Sequence, residues 1–254
     1  ESLLAFWRDA GVDACFEEAA VDRTHVQPPP ALKAVARATA AVVARPDTDA
    51  ARTEARHLAA AAETMDALAT AIAGFDGCPL SGMGASQSVF ARGDPAAPVL
   101  IIGEGPGTEE DAQGMPFVGP AGRLLDRMLA AADLTDRVFI TNTVYWKPPG
   151  NRSATPQEQA VCAPFVDRVC DLLRPKVVLL VGAAAVRSVL GNDEGIMRLR
   201  GQWKEWHLPE GGFVVPVMPT LHPAFLLRQP QAKRQVWADL LALTALLDGT
   251  ASAG

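Results

Sequence analysis

Hydrophobic positions change their pattern along the chain at about Phe75. From there on, short continuous apolar runs alternate with stretches in which apolar residues recur every three or four positions. The runs are APVLIIG, RVFITN, KVVLLVG and GFVVPVMPTL, and the periodic stretches are GPAGRLLDRMLAAADL, ATPQEQAVCAPFVDRVCDLL, AAAVRSVL and PQAKRQVWADLLALTALL. Such runs predict buried strands and such stretches predict helices. Thr155 is expected to cap one helix, with Pro156 as its first residue.

This alternation predicts an α/β fold, a three-layer α/β/α arrangement with a central, mainly parallel four-stranded sheet. Residues 1–74 are Ala-rich, and their weaker apolar spacing indicates helices joined by a linker around Pro28–Pro30. One of these helices, in TEARHLAAAAETMDALATAIAG, is expected to end at Gly74. We therefore expect a helical N-terminal extension over residues 1–74 and an α/β domain over residues 75–248.

The composition is typical of a protein with a hydrophobic core, because 49% of the 254 residues are hydrophobic and 20% are charged. No apolar run reaches the roughly 20 residues that cross a bilayer, and no basic-then-apolar signal sequence opens the chain. Four cysteines do not make a disulfide framework, so we expect a reducing cytoplasm. The net charge of -6 argues weakly against a general nucleic-acid binder, although phosphate contact requires only a local basic face.

Four segments follow the predicted strands, and ligands of parallel sheets bind outside these carboxyl ends. The segments are GEGPG, TN, VG and TLHP. GEGPG imitates a dinucleotide-binding loop poorly, because Pro106 interrupts the glycine spacing and a long polar loop delays the next helix until about Gly119. Its glycines still allow a flat ligand to approach the backbone closely.

Three side chains near these strand ends can carry chemistry, and each also has a purely structural interpretation. Phe117 is either a core residue under its loop or a stacking surface for a ring. Asn142 is either a turn residue or a group that reads a base edge with one donor and one acceptor. His222 is either a structural histidine or a catalytic one, and its place at the expected ligand edge favours the second interpretation.

The order of four motifs resembles the uracil-DNA glycosylases of family four, the type named for an iron–sulfur cluster. The motifs are GEGPG followed by GMPFVGPAG, then ITN with PPGNR and TPQE, then LRPKVVLLVG, then PTLHPAFLLR. The resemblance covers about residues 75–247. It implies a monofunctional enzyme that flips uracil out of DNA and hydrolyses its N-glycosidic bond in base-excision repair. It also implies a uracil-containing DNA substrate, single- or double-stranded, and a cytoplasmic, nucleoid-associated monomer without membrane contact.

The resemblance assigns roles to the matching pocket residues. Phe117 would stack on the extruded uracil. Asn142 would accept a hydrogen bond from N3 and donate one to O4, while Glu110 would hold the Asn142 amide and crowd the C5 position. The backbone at Glu104 and Gly105 would contact the uracil oxygens.

Cleavage leaves a uracil anion and a sugar cation. His222 would donate to O2 as the negative charge grows, and a neutral His serves best because it keeps its proton at neutral pH. A related family orients water with an Asp where this chain has Gly105. Either Glu104 polarises the water here, or the sugar cation is captured with little help.

The segment HPAFLLR would enter the duplex. Leu226 is expected to fill the gap that the extruded base leaves, with Leu227 in the core. Basic side chains on both rims would contact phosphates: Arg228, Lys233 and Arg234 on one side, and Lys147 and Arg152 on the other.

The cluster positions depart from the family pattern of four cysteines. They are here Phe75, Cys78, Trp146 and Cys162. Two thiolates cannot hold a four-iron cluster, and neither Cys15 nor Cys170 matches a vacant position. We therefore predict no cofactor and no metal. The two aromatic rings are expected to pack together in the space, with the two thiols in contact.

Two other classes of function stay open beside a glycosylase with a broader range of deaminated bases. A relative that traps uracil-DNA covalently carries a basic loop ending in a His after the TN strand, and KPPGNRSATPQ contains no His. A non-catalytic DNA-binding relative would show a decayed pocket, whereas the four pocket side chains Glu110, Phe117, Asn142 and His222 are all present.

Overall fold

Six strands form one mixed sheet within residues 48–209 and 212–250, which are the residues that this computed structural model describes. The strands are β1 (Ala91–Gly93), β2 (Val99–Gly103), β3 (Val138–Asn142), β4 (Val177–Val181), β5 (Lys204–His207) and β6 (Val214–Thr220). Their order across the sheet is β1-β3-β2-β4-β6-β5. The four central strands are parallel, and β1 and β5 pair antiparallel to them at the edges.

The predicted four-stranded sheet is therefore too small, although its four strands form the parallel centre. The two additional strands are short, and neither is an apolar run. In β1 no residue is fully buried, and in β5 only Trp206 is buried. An edge strand pairs along one side only, so its sequence is not required to be apolar throughout.

Nine α-helices surround the sheet in the described residues. They are α1 (Thr48–Ala61), α2 (Met65–Ala73), α3 (Thr108–Gln113), α4 (Pro120–Ala131), α5 (Pro156–Leu173), α6 (Ala183–Leu190), α7 (Ile196–Leu199), α8 (Pro223–Arg228) and α9 (Lys233–Leu247). Single 3₁₀ turns span Pro79–Gly82, Pro149–Asn151 and Pro230–Ala232. None of the helices in this part of the chain is both long and apolar enough to cross a membrane.

The core consists of two clusters, one on each face of the sheet. Alternate residues of a strand point to opposite faces, so Leu100 and Ile102 join one cluster while Val99 and Ile101 join the other. Residues of α1, α2, α5 and α6 complete the first cluster. Residues of α4, α8 and α9 complete the second. Helices thus cover both faces of the sheet, as the fully apolar strands predict.

Helix α5 begins with the predicted N-cap. The Thr155 Oγ1 accepts a hydrogen bond from the Glu158 amide at 3.2 Å, and the Glu158 carboxylate accepts one from the Thr155 amide at 2.7 Å. Pro156 is the first helical residue. This reciprocal pair satisfies two backbone amides at the helix start that have no partner within the helix.

The single helix predicted to end at Gly74 is two helices, α1 and α2. Thr64 separates them and caps α2 by accepting a hydrogen bond from the Ala67 amide at 3.1 Å. Helix α1 packs along α5, and its buried alanines belong to the same cluster as Phe165. Residues 48–73, which we assigned to the extension, therefore pack in the same core as the α/β domain. The predicted helix and linker before residue 48 lie outside the described residues.

Trp146 lies in a buried aromatic pocket on the α5 side of the sheet. Its ring centroid is 6.4 Å from that of Phe75, and the Phe75 ring packs edge-on against Phe165 at 5.3 Å. The Cys78 and Cys162 sulfurs are 3.8 Å apart. The predicted packing of these four side chains is therefore confirmed. The hydrogen bond that Cys162 donates to Cys78, together with burial, raises the pKa of the Cys162 thiol well above its ordinary value, so this thiol stays protonated.

Substitution of Trp146 tests how much this pocket stabilises the fold. Trp146→Ala should lower the free energy of unfolding by about 3–5 kcal/mol, because a large buried side chain is replaced by a cavity. Trp237→Ala is the matched control, since Trp237 is 38% exposed on α9. Equilibrium denaturation of both variants measures the difference. Equal losses in the two variants would contradict the structural role of Trp146.

Candidate active site

A cleft of about 310 Å³ opens at the carboxyl ends of the parallel strands. Its walls come from the loops after β2, β3 and β6 and from the start of α8. The side chains with functional groups in its lining are Glu104, Glu110, Phe117, Asn142, Asn151, Arg152, Ser153 and His222. The structure thus brings together the predicted strand-end residues of three loops.

The loops after β2 and β3 are hydrogen-bonded to each other. Thr143 donates its amide to the Gly103 carbonyl at 2.9 Å and its hydroxyl to the Glu104 carbonyl at 2.6 Å. This places Glu104 and Gly105 beside Asn142. A Cβ atom on Gly105 would lie 2.7 Å from the Val144 Cγ2, so an Asp at this position would require Val144 to move.

Phe117 and Asn142 meet above Gly103. A Cβ atom on Gly103 would lie 2.5 Å from the Phe117 Cζ and 2.6 Å from the Asn142 Oδ1. Asn142 is 1% exposed, and its Oδ1 has no hydrogen-bond partner among the described residues. The Oε1 of Glu104 is unpaired in the same way. A buried acceptor without a partner is costly and uncommon in native proteins, so both oxygens are suited to bind donors of a ligand.

Glu110 lines the cleft but does not bind Asn142. Its carboxylate accepts hydrogen bonds from the backbone amides of Gly107, Val118 and Gly119, at 2.9–3.1 Å. The predicted Glu110–Asn142 hydrogen bond is therefore wrong. The three amides lie in loops without regular backbone pairing, and their hydrogen bonds occupy the oxygens of the Glu110 carboxylate. Glu110 instead ties the GEGPG loop to the loop that carries Phe117.

His222 is the N-cap of α8, and this position fixes its tautomer. Its Nδ1 accepts a hydrogen bond from the Ala224 amide at 3.1 Å. The neutral ring therefore carries its proton on Nε2. Burial lowers the pKa of His222, the charge of Arg228 lowers it further, and the charge of Glu104 opposes the shift. The ring stacks on Phe117 with 5.8 Å between centroids and a 30° tilt.

The sequence model of the Uracil DNA glycosylase superfamily matches residues 90–241 of the chain. The protein belongs to this superfamily. Curated relatives include a Type-4 uracil-DNA glycosylase of Thermotoga maritima, which is 36% identical over 168 residues covering 65% of this chain and 84% of the relative. The Type-4 uracil-DNA glycosylase of Sulfurisphaera tokodaii is 34% identical over 167 residues, 63% of this chain and 75% of the relative. The corresponding enzyme of Archaeoglobus fulgidus is 35% identical over 152 residues, 58% and 75% of the two chains.

The prediction that Leu226 enters the DNA duplex in this superfamily member is wrong, because Leu226 is buried. Leu226 is completely buried in the core, whereas Leu227 is 45% exposed. Both leucines lie in the six-residue helix α8, where consecutive side chains point about 100° apart. The two neighbouring leucines gave no means of deciding from sequence which one faces the core.

The predicted phosphate-binding side chains differ in their contacts. Arg152 lines the cleft, but its guanidinium donates two hydrogen bonds to Glu158, at 2.7 and 2.8 Å. Lys147 lies 3.9 Å from the buried Asp111 carboxylate. The remaining three are exposed on and after α8, and no ion pair within residues 48–209 and 212–250 involves them: Arg228, Lys233 and Arg234.

Burial would raise the pKa of Glu158, but the hydrogen bonds from Arg152 and Thr155 outweigh it and lower the pKa. Glu158 is thus a buried carboxylate that holds Arg152 at the cleft of this uracil-DNA glycosylase superfamily member. The sequence did not lead us to this partner of Arg152, or to Arg92, which reaches the loop that carries Phe117 from β1. The capping-box spacing between Thr155 and Glu158 was the available signal for Glu158. The sequence holds no local signal for the contact of Arg92.

The protonation of His222 can be measured directly. Nitrogen NMR of the imidazole should show an unprotonated Nδ1 and a protonated Nε2 at neutral pH, since Nδ1 accepts from Ala224. The titration midpoint should lie below the ordinary value of 6.5, because burial disfavours the charged ring. His222→Gln assigns the resonance. A midpoint above 6.5, or a proton on Nδ1, would contradict this geometry.

Proposed function

We propose that the protein is a monofunctional uracil-DNA glycosylase that acts in base-excision repair. It hydrolyses the N-glycosidic bond of uracil in DNA. The observation that carries this function is the convergence of the Phe117 ring, the unpaired Asn142 Oδ1 and the His222 Nε2–H in one cleft of a superfamily member. Its substrate is uracil-containing DNA, and we propose a monomer that works on genomic DNA in the cytoplasm.

Asn142 discriminates uracil from cytosine. Its Oδ1 accepts from the N3–H of uracil, and its Nδ2 donates to O4. Cytosine presents an acceptor and a donor in the reverse order, so with the amide in its present orientation it leaves the buried Oδ1 unpaired, at a cost of about 1–3 kcal/mol. Stacking on Phe117 contributes roughly 1–3 kcal/mol for any base, which offsets the cost of extrusion without adding discrimination.

His222 stabilises the leaving group. As the C1′–N1 bond breaks, its electron pair moves into the uracil ring, and the Nε2–H donates to O2. A donor that is already aimed at the developing charge is worth about 3–4 kcal/mol. Burial keeps the ring neutral, since it lowers the pKa of His222. A protonated ring would lose the acceptor that Ala224 requires.

Glu104 is the group that we assign to the attacking water. Its Oε1 is buried and unpaired, so it can accept a hydrogen bond from the water that adds to C1′. The proton that this water loses passes by way of Glu104 to the departing uracil anion. Gly105 cannot be replaced by an acidic group at this point without moving Val144. With Val144 in its present position, no side chain at position 105 can therefore orient the water.

Leu227 and the exposed basic residues form the proposed DNA contact. Leu227 is the exposed leucine of α8, so it replaces Leu226 as the side chain that fills the gap left by uracil. Three cations with exposed side chains follow it and are suited to phosphate contact: Arg228, Lys233 and Arg234. Lys147 and Arg152 contribute less, because each already lies beside a carboxylate.

We also propose that this glycosylase works without an iron–sulfur cluster. A cubane cluster requires four thiolates, and the corresponding positions hold two sulfurs and two aromatic rings. No group of three or more His, Cys, Asp or Glu side chains in the described part of the chain is arranged to hold a metal. The rings of Phe75 and Trp146, whose centroids are 6.4 Å apart, belong to the same buried cluster as the two thiols.

Activity on oligonucleotides tests the function. The protein should release uracil from single- or double-stranded DNA and leave sites that break on alkali treatment. Asn142→Ala and His222→Ala should each lower the rate at least about tenfold, since each removes a group aimed at the base. His207→Ala is the control, because His207 is exposed on β5. Normal rates in both pocket variants would overturn the assignment, and a denaturation-resistant DNA adduct would indicate a covalent trap.

Metal analysis tests the cofactor proposal. The purified protein should contain far less than one iron per chain, with no visible absorption of a cluster. The double variant Phe75→Cys, Trp146→Cys restores four thiols and is the positive control for reconstitution with iron and sulfide. About four iron per wild-type chain, together with sulfide, would refute the proposal.

A further inference from the structure

The loop of residues 114–119, called here the Phe117 loop, connects α3 to α4 without regular secondary structure. Backbone polar groups in such a loop need partners when they are buried. Charged side chains supply them: Glu110 accepts from two loop amides. Arg123 donates to the Val118 carbonyl at 3.0 Å. The carbonyls of Pro116 and Phe117 are both bound by Arg92.

Arg92 reaches the loop from the edge strand β1. Its backbone pairs with Ile140 of β3, two residues before Asn142. Its Nε donates to the Pro116 carbonyl at 2.9 Å, and one terminal nitrogen donates to the Phe117 carbonyl at 3.3 Å and pairs with Asp126 of α4. The planar guanidinium can hold several acceptors in a fixed arrangement, which a lysine cannot.

Phe117 has a backbone that needs such support. Its φ angle is +56°, in the left-handed region that phenylalanine rarely adopts. The Phe117 carbonyl also lies against α4 so closely that a Cβ atom on Gly122 would be 1.7 Å from its oxygen. In this conformation the ring faces His222. Release of the Phe117 carbonyl would allow the backbone to relax and the ring to turn away.

We propose that Arg92 is a positioning residue for catalysis, which sets the Phe117 ring against the extruded base through the two carbonyls. This inference rests on the proposed glycosylase function. Arg92 does not line the cleft, so it acts through Phe117 and not on the base. Loss of Arg92 should therefore slow base excision at saturating DNA and leave the affinity for DNA without uracil nearly unchanged, since the proposed phosphate contacts lie elsewhere.

Arg92→Met and Arg92→Lys test the inference, with Arg137→Met as the matched control. Arg137 also forms an ion pair, with Asp248, but it lies just before β3, at the opposite end of the sheet from the cleft. Single-turnover excision from a uracil oligonucleotide should slow roughly tenfold or more in Arg92→Met, because small displacements of positioned groups have large effects on rate. Arg92→Lys should retain part of the wild-type rate. Arg137→Met should excise uracil at the wild-type rate.

Two further readouts separate positioning from general stability. The equilibrium dissociation constant for a matched oligonucleotide without uracil should stay within about threefold in Arg92→Met, since no phosphate contact is removed. Hydrogen exchange at the Val118 and Gly119 amides should accelerate in Arg92→Met and not in Arg137→Met, because the loop opens locally.

An excision rate in Arg92→Met within twofold of wild type would overturn the inference. If Arg92→Met does not fold, Arg92→Lys decides, and wild-type rate and exchange in that variant would overturn it as well. If the wild-type protein itself releases no uracil, the proposed function fails. Hydrogen exchange of the loop then still shows whether Arg92 holds Phe117.

Discussion

Strands β2 and β3 pair in a parallel register that places Gly103 opposite Asn142, and the candidate site depends on this pairing. Both strands are fully buried, so a shift of register would break ladder bonds and displace apolar side chains on both faces. Thr143 extends the pairing beyond the last strand residues by bonding to the Glu104 carbonyl. Glu104 and the amide of Asn142 are thereby held at the same point, where a base would meet them.

The other half of the cleft is fixed by charge rather than by the sheet. No strand of the described residues pairs with the Phe117 loop, and its amides and carbonyls bind the side chains of Glu110, Arg92 and Arg123. Hydrogen bonds to charged groups are stronger than those between neutral ones. They hold Phe117 in a left-handed conformation that its own preference disfavours. The Phe117 ring thus lies where the paired strands β2 and β3 meet the loop that these charged side chains hold.

The features that depend on the local pattern of apolar residues could be predicted from the sequence. Fully apolar runs gave the parallel strands, and the same runs led to Asn142 and His222 at their ends. Contacts that depend on the folded path of the backbone could not be predicted in this way. Glu110 was matched to the wrong group because three backbone amides, invisible in the sequence, occupy its carboxylate. The roles predicted for Leu226 and Leu227 were the reverse of those observed, because so short a helix carries no period that shows which side faces the core.

A crystal structure with free uracil tests the central claim most directly, because it shows which groups the base meets. We expect the ring in the cleft, in van der Waals contact with Phe117 at about 4 Å. Its N3–O4 edge should face the Asn142 amide, and its O2 should face the His222 Nε2. Uracil bound outside the cleft, or inside it without a hydrogen bond to Asn142, would contradict the account.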